Sequence, residues 1–216
     1  MPISKNTITL LCISTDDVEG GINVVEESFK KFPYFDKWIV GGKESSKRDQ
    51  IEILDLSHIK NARGYNEFCI YGLKEIIDTD FVLVIQTDGY ILNPNAWLNI
   101  YLNYDYVGAP WYWFDNICGN GGFSLRSKKF IEESAKLFPE YKWDDPTYVP
   151  HLYSTCPEDF FLCVQSRKNL LEKGIKFAPG DVAQNFSFEY PIGLPNEGMH
   201  SSFGFHGKHN LTNINE

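Results

Sequence analysis

The clearest pattern in this sequence is a run of five apolar residues, Phe81 to Ile85, three of which are β-branched. Such a run predicts a strand that is buried on both faces. A second run, from Thr7 to Ile13, predicts another buried strand, and residues 37–40 and 51–54 predict two shorter ones. The first half of the chain therefore contains most of the predicted sheet.

Two predicted helices separate these strands. The second runs roughly from Arg63 to Ile77 and leads directly into the strand at Phe81. Strand–helix–strand alternation of this kind predicts an α/β fold, in which helices cover a mainly parallel, Rossmann-like sheet. The first helix ends near Pro33, and its apolar face consists of Ile22, Val25, Phe29 and Phe32.

The pattern after residue 92 is less regular. Residues 104–114 are rich in aromatic side chains and predict a loop, whereas residues 121–126 predict a short strand. Ser127 is a suitable N-cap for a helix that extends to Phe138. Residues 140–153 predict a long polar loop that carries aromatic side chains.

Pro157 is expected to begin a further helix, which Gly174 ends. Residues 175–178 are then expected to return to the sheet. The predicted organisation is one domain over residues 1–207 and a polar tail, expected to fray, over residues 208–216. The apolar face predicted for the helix after Pro157 consists of Phe160, Phe161, Val164 and Leu171.

Charge restricts the partners that this chain can have. The formal net charge is −9, which argues against a nucleic acid, because binding to nucleic acid needs a basic face. An acidic protein can hold a diphosphate only through local cations, backbone amides, a helix N-terminus or a bound metal ion.

Cysteine usage and hydropathy predict the compartment. The five cysteines form no Cys-x-x-Cys pair, which indicates reduced thiols. No apolar run approaches the ~18 residues of a membrane-spanning helix, and the sequence shows no signal-peptide pattern. We therefore expect a cytoplasmic protein, and peripheral contact with a membrane surface stays open.

Four polar or small residues come immediately after the predicted strand of Phe81 to Ile85, in the order Gln86, Thr87, Asp88 and Gly89. Open α/β sheets bind their ligands at the carboxyl ends of their parallel strands. A carboxylate at that place can hold a divalent cation, and the cation can neutralise a diphosphate. The alternative is a strand that simply ends in a polar turn.

Three later motifs carry further candidate residues. Residues 118–126 contain three glycines in four positions, which either let a ligand approach the backbone or simply form a turn. Glu158 and Asp159 stand at a predicted helix start, where one carboxylate can remove a proton from a hydroxyl, but where the helix dipole also favours acids. His206 can coordinate a metal ion or contact a phosphate, although a single histidine usually does neither.

Taken in order, these motifs resemble those of glycosyltransferases of the GT-A class. The chain looks most similar to a family of small, uncharacterised glycosyltransferases with one Rossmann-like domain. The matching segments span over half of the chain, and they are residues 81–92, 105–111, 119–128, 157–161 and 203–207.

The resemblance implies a role for each motif. Asp88 matches the last acid of the class's Asp-x-Asp motif, which binds Mn²⁺ or Mg²⁺ and the donor's diphosphate or ribose. Gln86 stands where that motif has its first acid. His206 matches a C-terminal histidine that can complete the metal site. Asp159, or failing it Glu158, matches the catalytic base of inverting members.

The remaining candidates are implied to bind the donor or the acceptor. The donor-binding candidates are Ser14, Thr15, Asp16, Arg63, Gln86, Thr87, Asp88, Gly121 and Gly122. The first three follow the first strand, where the class holds the nucleotide base, and Arg63 can reach either a phosphate or the base. The candidates for an acceptor platform are Trp111, Tyr112 and Trp113, for which a packing role is an equal alternative.

The implied activity is transfer of a sugar from a nucleotide-diphosphate-sugar donor to a hydroxyl of a glycan or other acceptor, as in polysaccharide biosynthesis. The base deprotonates the hydroxyl, which displaces the diphosphate in one step with inversion. Two alternatives stay open, a non-catalytic carbohydrate-binding protein and a sugar-nucleotide nucleotidyltransferase. The latter is expected to have a basic, glycine-rich loop after the first strand, whereas residues 14–21 are acidic.

Overall fold

The computed structural model describes residues 6–115, 117–144, 155–193 and 198–214. A seven-stranded sheet with the order β3-β4-β2-β1-β5-β9-β6 forms its centre, and two two-stranded sheets pair β7 with β8 and β10 with β11. The strands in these described residues are β1 (Ile8–Ile13), β2 (Lys37–Gly42), β3 (Ser46–Arg48), β4 (Ile51–Asp55), β5 (Phe81–Ile85), β6 (Tyr106–Gly108), β7 (Pro110–Trp111), β8 (Ile117–Cys118), β9 (Phe123–Ser127), β10 (Ser187–Phe188) and β11 (Gly204–Phe205).

The large sheet has parallel strands at its centre and antiparallel strands at both edges, and at one edge β3 runs antiparallel to β4. Strands β4, β2, β1 and β5 are parallel to one another. Beyond β5, strand β9 runs antiparallel to β5, and β6 runs antiparallel to β9. The predicted fold class, an α/β fold with a mainly parallel sheet in a single domain, is therefore confirmed.

Helices cover both faces of this sheet. Their bounds are α1 (Val18–Lys31), α2 (Ala62–Glu67), α3 (Leu73–Ile76), α4 (Lys128–Lys136), α5 (Glu158–Phe160), α6 (Arg167–Glu172), α7 (Gly180–Phe186) and α8 (Lys208–Ile214). Single π-helical turns at Phe68–Gly72 and Phe161–Gln165 join α2 to α3 and lead from α5 towards α6. Short 3₁₀ turns lie at Pro94–Ala96, Asn99–Asn103, Tyr112–Phe114, Phe138–Glu140 and Met199–Ser201.

Alternation along β1 explains how the two faces are covered. Leu10 and Cys12 pack into the apolar cluster that contains residues of α1, whereas Leu11 and Ile13 pack into the cluster that contains residues of α3 and α4. Because both sets of side chains are buried, every residue of the strand except Thr9 is apolar.

The second half of the chain departs from the prediction in three places. Residues 104–114 were expected to be a loop, but they contain β6 and β7. Residues 175–178 form no strand of the sheet, since only a single bridge joins Phe177 to Tyr106. The expected polar tail begins with helix α8, which Asn210 connects to the rest of the protein through the carbonyls of Glu189 and His206.

The helix after Pro157 differs in its buried face. Leu171 was expected on that face, but it is exposed, and Leu170 is fully buried instead. The π-helical turn at Phe161–Gln165 widens the helix, so the apolar positions after it shift by one residue. The predicted loop over residues 140–153 lies mostly outside the described residues.

Two further findings concern helix hydropathy and the cysteines. No helix in the described part of the chain is both long and apolar enough to cross a membrane. All five cysteines lie in that part, where they are buried and form no disulfide.

Candidate functional site

A cavity of about 220 Å³ lies beside the sheet, between the segment that precedes β9 and the start of α5. One wall is aromatic and includes Trp111, Trp113 and Phe160. The other wall is polar, and its side chains are Asn120, Asp159, Glu189 and His206. The cavity thus brings together residues that are far apart in the sequence, two of which are the candidate base and the candidate metal-binding histidine.

His206 connects this cavity to the end of β5. Its Nε2 lies 3.4 Å from Asp88 Oδ1 and 3.0 Å from Gln86 Oε1. The segment is fixed in place because the amide of Gly207 donates a hydrogen bond to the carbonyl of Asp88, at 3.0 Å. The structure therefore brings Asp88, His206 and Asp159 to one region of the protein.

Asp159 is placed by the first turn of α5 and by the loop before β9. Its Oδ2 accepts a hydrogen bond from the amide of Gly121 at 2.9 Å, and its Oδ1 accepts one from the amide of Phe160 at 2.8 Å. Burial and then the nearby charge of Glu158 raise the pKa of Asp159 to about 7. A carboxylate with such a pKa can accept a proton near neutral pH.

Glu158 occupies a different environment from its neighbour Asp159. Its Oε1 lies 2.8 Å from Arg126 Nη2 in an ion pair whose side chains are 4% and 0% exposed. Its backbone amide donates a hydrogen bond to Asn66 Oδ1. The sequence left the choice of base open between these two acids, and only Asp159 lines the cavity.

Gly121 and Gly122 make room for other parts of the protein. A Cβ atom on Gly121 would collide with Glu158 Oε1, and one on Gly122 would collide with the ring of His206. Their amides donate to Asp159 and to Asn120 Oδ1. Contact of either glycine with a donor stays a prediction.

Glu189 and Asn120 are site residues that the sequence analysis missed. Glu189 Oε1 lies 3.4 Å from His206 Nδ1, and Glu189 Oε2 accepts a hydrogen bond from Trp111 Nε1 at 3.3 Å. Asn120 Nδ2 lies 3.0 Å from His206 Nδ1. The parallel pairing of Phe188 with Phe205 sets Glu189 beside His206. The only signal in the sequence is an isolated acid within the aromatic run from residue 186 to residue 190.

The three aromatic candidates have unequal positions. Trp111 is buried, and its ring is stacked on that of Trp113 with centroids 6.2 Å apart. Trp113 is 38% exposed and lines the cavity. Tyr112 is more exposed and packs edge-on against Trp113.

The other predicted donor-binding residues are spread over the same sheet edge and beyond it. Ser14, Thr15 and Asp16 follow β1, the neighbour of β5, and Thr15 Oγ1 donates a hydrogen bond to the carbonyl of Ile59. Thr87 is exposed beside Asp88. Arg63 instead forms ion pairs with Glu67 and Asp144 and lines a different cavity.

The side chains at the end of β5 can be compared with the ligands that a divalent cation requires. Asp88 Oδ1 and Gln86 Oε1 both approach His206 Nε2, so three potential ligand atoms converge. A carboxylate, an amide oxygen and an imidazole suit Mn²⁺, and Mg²⁺ also commonly binds through one carboxylate and substrate phosphates. No group of three His, Cys, Asp or Glu side chains with suitable geometry occurs in the described residues. Asp88, Gln86 and His206 therefore fit a divalent cation whose remaining ligands are a diphosphate and water.

The family described as "Protein of unknown function (DUF5672)" matches residues 48–206, and the chain belongs to it. A search of curated proteins finds no match.

Solved structures show what the fold is similar to. One is the mannosyltransferase PcManGT from Pyrobaculum calidifontis in complex with GDP-Man and Mn²⁺, with a TM-score of 0.50 and 11% identity over 84% of this chain and 56% of that one. The galactosyltransferase LgtC gives a TM-score of 0.49 and 12% identity over 93% and 87% of the two chains. The apo-form glycosyltransferase GlyE of Streptococcus pneumoniae TIGR4 gives a TM-score of 0.49 and 13% identity. That match covers 93% of this chain and 54% of the GlyE chain. The fold is that of the GT-A class, and at these identities the likeness concerns the fold alone.

Proposed function

We propose that this member of the family is a glycosyltransferase that moves a sugar from a nucleotide-diphosphate-sugar donor to a hydroxyl of a glycan or other acceptor, with inversion. One observation carries the proposal: Asp159, with its pKa near 7, lines the same cavity as His206, which contacts Asp88 at the end of β5. A proton acceptor and a diphosphate-binding edge are the two parts that this chemistry needs.

The proposed base is Asp159. Two backbone amides hold its oxygens, and its raised pKa suits removal of a proton from an acceptor hydroxyl. The hydroxyl oxygen forms a bond to the anomeric carbon while the bond to the diphosphate breaks, and the proton passes to Asp159. Glu158 is paired with Arg126, so we assign it no proton transfer.

The donor is proposed to bind along the carboxyl edge of the sheet. Asp88 and His206 would hold Mn²⁺ or Mg²⁺, with Gln86 beside them, and the cation would neutralise the diphosphate. The residues that follow β1, Ser14 to Asp16, are proposed to contact the nucleotide base. Thr87 is exposed next to Asp88 and is proposed to contact the ribose or the diphosphate.

The acceptor is proposed to enter against the aromatic wall. Trp113 lines the cavity and is partly exposed, so its ring can stack on a sugar. The ring of Trp111 stacks on that of Trp113, and its indole N–H donates a hydrogen bond to Glu189 Oε2. Tyr112 extends the platform outward. A cytoplasmic location, where the buried thiols stay reduced, is part of the same proposal.

Calorimetry with a panel of UDP-, GDP-, CDP- and dTDP-sugars, with and without Mn²⁺, tests this function. We expect at least one donor to bind, and to bind more tightly with Mn²⁺. Asp88→Asn should weaken that binding at least tenfold, whereas Asp181→Asn, an exposed carboxylate on α7, should not change it. If no nucleotide sugar binds under either condition, the proposal is overturned.

A further inference from the structure

We propose that Arg126 and Glu158 act as positioning residues, which lock the loop before β9 and the start of α5 together and so fix the orientation of Asp159. This inference rests on the proposed function for its catalytic meaning, but the positioning itself can be measured without activity.

Arg126 is a charged side chain in the core of the sheet. It is fully buried, and its guanidinium lies over the ring of Tyr106, with the central carbon 5.6 Å from the ring centroid. Its Nη2 and Nη1 lie 2.8 and 3.4 Å from the two carboxylate oxygens of Glu158. Its Nε donates a hydrogen bond to Ser124 Oγ at 3.0 Å. The fork geometry of arginine thus satisfies several acceptors at once.

The backbone of Gly121 is bound from both sides of this arrangement. Its carbonyl accepts hydrogen bonds from Ser124 Oγ at 2.9 Å and from Arg126 Nη2 at 3.3 Å. Its amide donates to Asp159 Oδ2 at 2.9 Å. Because Glu158 and Asp159 are adjacent, the contacts form a closed ring from Arg126 through Gly121, Asp159 and Glu158 back to Arg126.

Stability alone does not explain such an ion pair. Taking two charges out of water is costly, and well-packed apolar residues of similar volume often give equal or greater stability. Apolar residues could not bind the Gly121 carbonyl, however, and so could not close the ring. The charge of Glu158 also contributes to the raised pKa of Asp159, which otherwise faces Glu189 and His206 across the cavity.

The test compares the wild type with the double variant Arg126→Met/Glu158→Leu. This variant removes both buried charges together. Because no unpaired charge remains in the core, we expect the variant to fold. We expect donor binding within about twofold of wild type and a fall in kcat of at least tenfold. The pKa of Asp159 is not compared in this variant, because removal of the Glu158 charge changes that pKa whatever the position of Asp159. A control is Arg167→Met, since Arg167 also donates to backbone carbonyls but lies outside the ring.

Arg126→Lys is the second variant, and the pKa of Asp159 is measured in it by ¹³C carboxyl titration in NMR. Lysine keeps the charge beside Glu158 but has a single nitrogen, so it cannot serve Glu158, Gly121 and Ser124 together. We expect a smaller fall in kcat and unchanged KM for the donor.

The inference is overturned by a folded double variant that retains kcat, or by a folded Arg126→Lys protein in which Asp159 titrates as in the wild type. If the wild-type protein transfers no sugar, the proposed function fails, and the titration of Asp159 in Arg126→Lys still decides the positioning. A raised pKa in that variant supports the ring, because the hydrogen bond from the Gly121 amide lowers the pKa of Asp159 and both charges are kept.

Discussion

The neighbouring strands β5 and β9 are equally buried but have opposite compositions. Every side chain of β5 is apolar, whereas β9 buries Ser124, Arg126 and Ser127. Arg126 even lies directly opposite Val82 in the antiparallel register. The first strand forms the core of the sheet, and the second brings polar groups into that core.

This difference separates two tasks within one sheet. The parallel half gains its stability from apolar burial. The free energy of this burial is roughly proportional to the apolar area removed from water and does not depend on contact direction. The antiparallel half binds the loop of Gly121 and the start of α5 through directional hydrogen bonds. Substitutions on the two sides should therefore change different measured quantities.

The largest effect is expected from Asp159→Asn. Loss of the base should lower kcat by about 10²- to 10⁴-fold, because the amide cannot take the proton of the acceptor hydroxyl. Donor affinity measured by calorimetry should change little. Asp181→Asn provides the matched control, and a variant with more than a tenth of wild-type kcat would reject Asp159 as the base.

Leu83→Ala should have its effect on stability instead. Leu83 is fully buried at the centre of β5, so the cavity and the lost burial should cost about 2–5 kcal/mol in the free energy of unfolding. Urea unfolding measures this cost. The kcat of the folded fraction should stay near that of the wild type, and a large loss of kcat in a folded Leu83→Ala protein would contradict the division between the two strands.

The pH dependence should show activity and stability moving in opposite directions. Burial and Glu158 raise the pKa of Asp159 from 3.8 to about 7, so between these values the folded protein holds a proton that the unfolded chain has lost. The stability contributed by this proton is present at low pH and is lost as pH rises through about 7. Below pH 7, kcat/KM should rise about tenfold per pH unit as the base ionises.

Urea unfolding of the wild type and of Asp159→Asn at pH 5 and pH 8 checks the stability part. The wild type should lose more stability than the variant between these two pH values. Equal losses in both proteins would show that another group causes the change.

The smallest effect is expected from Trp113→Ala. Its ring is 38% exposed in the cavity, and loss of one stacking contact is worth about 0.5–1.5 kcal/mol. KM for the acceptor should therefore rise about two- to tenfold, with donor affinity unchanged. Tyr34→Ala, which removes an exposed aromatic side chain outside the cavity, serves as the control. An unchanged acceptor KM would exclude Trp113 from the platform.

The sequence predicted the parallel half of the fold well and the site only in part. Runs such as Phe81 to Ile85 identify buried strands because burial on both faces removes any polar position. Asp88 could be recognised as a candidate because it follows such a run. Which of Glu158 and Asp159 lines the cavity depends on the partner of Glu158, and nothing local in the sequence shows that this partner is Arg126.

Other features depend on contacts that are distant in sequence or on small changes in helix geometry. Glu189 reaches His206 only through the pairing of β10 with β11. Leu170 replaced Leu171 in the core because one π-helical turn shifted the periodicity. Arg63 begins a helix as predicted, but its partners Glu67 and Asp144 hold it in another cavity.

The aromatic turn Tyr112–Phe114 lies next to the small β7–β8 sheet, outside the seven-stranded sheet that carries Asp88. Substitutions in this turn can therefore accumulate without disturbing the register of β5 or β9. Under the proposed function, we expect family members that differ in this turn to differ in acceptor KM and to agree in donor affinity. Exchange of this turn between two family members, followed by measurement of both quantities, tests that expectation.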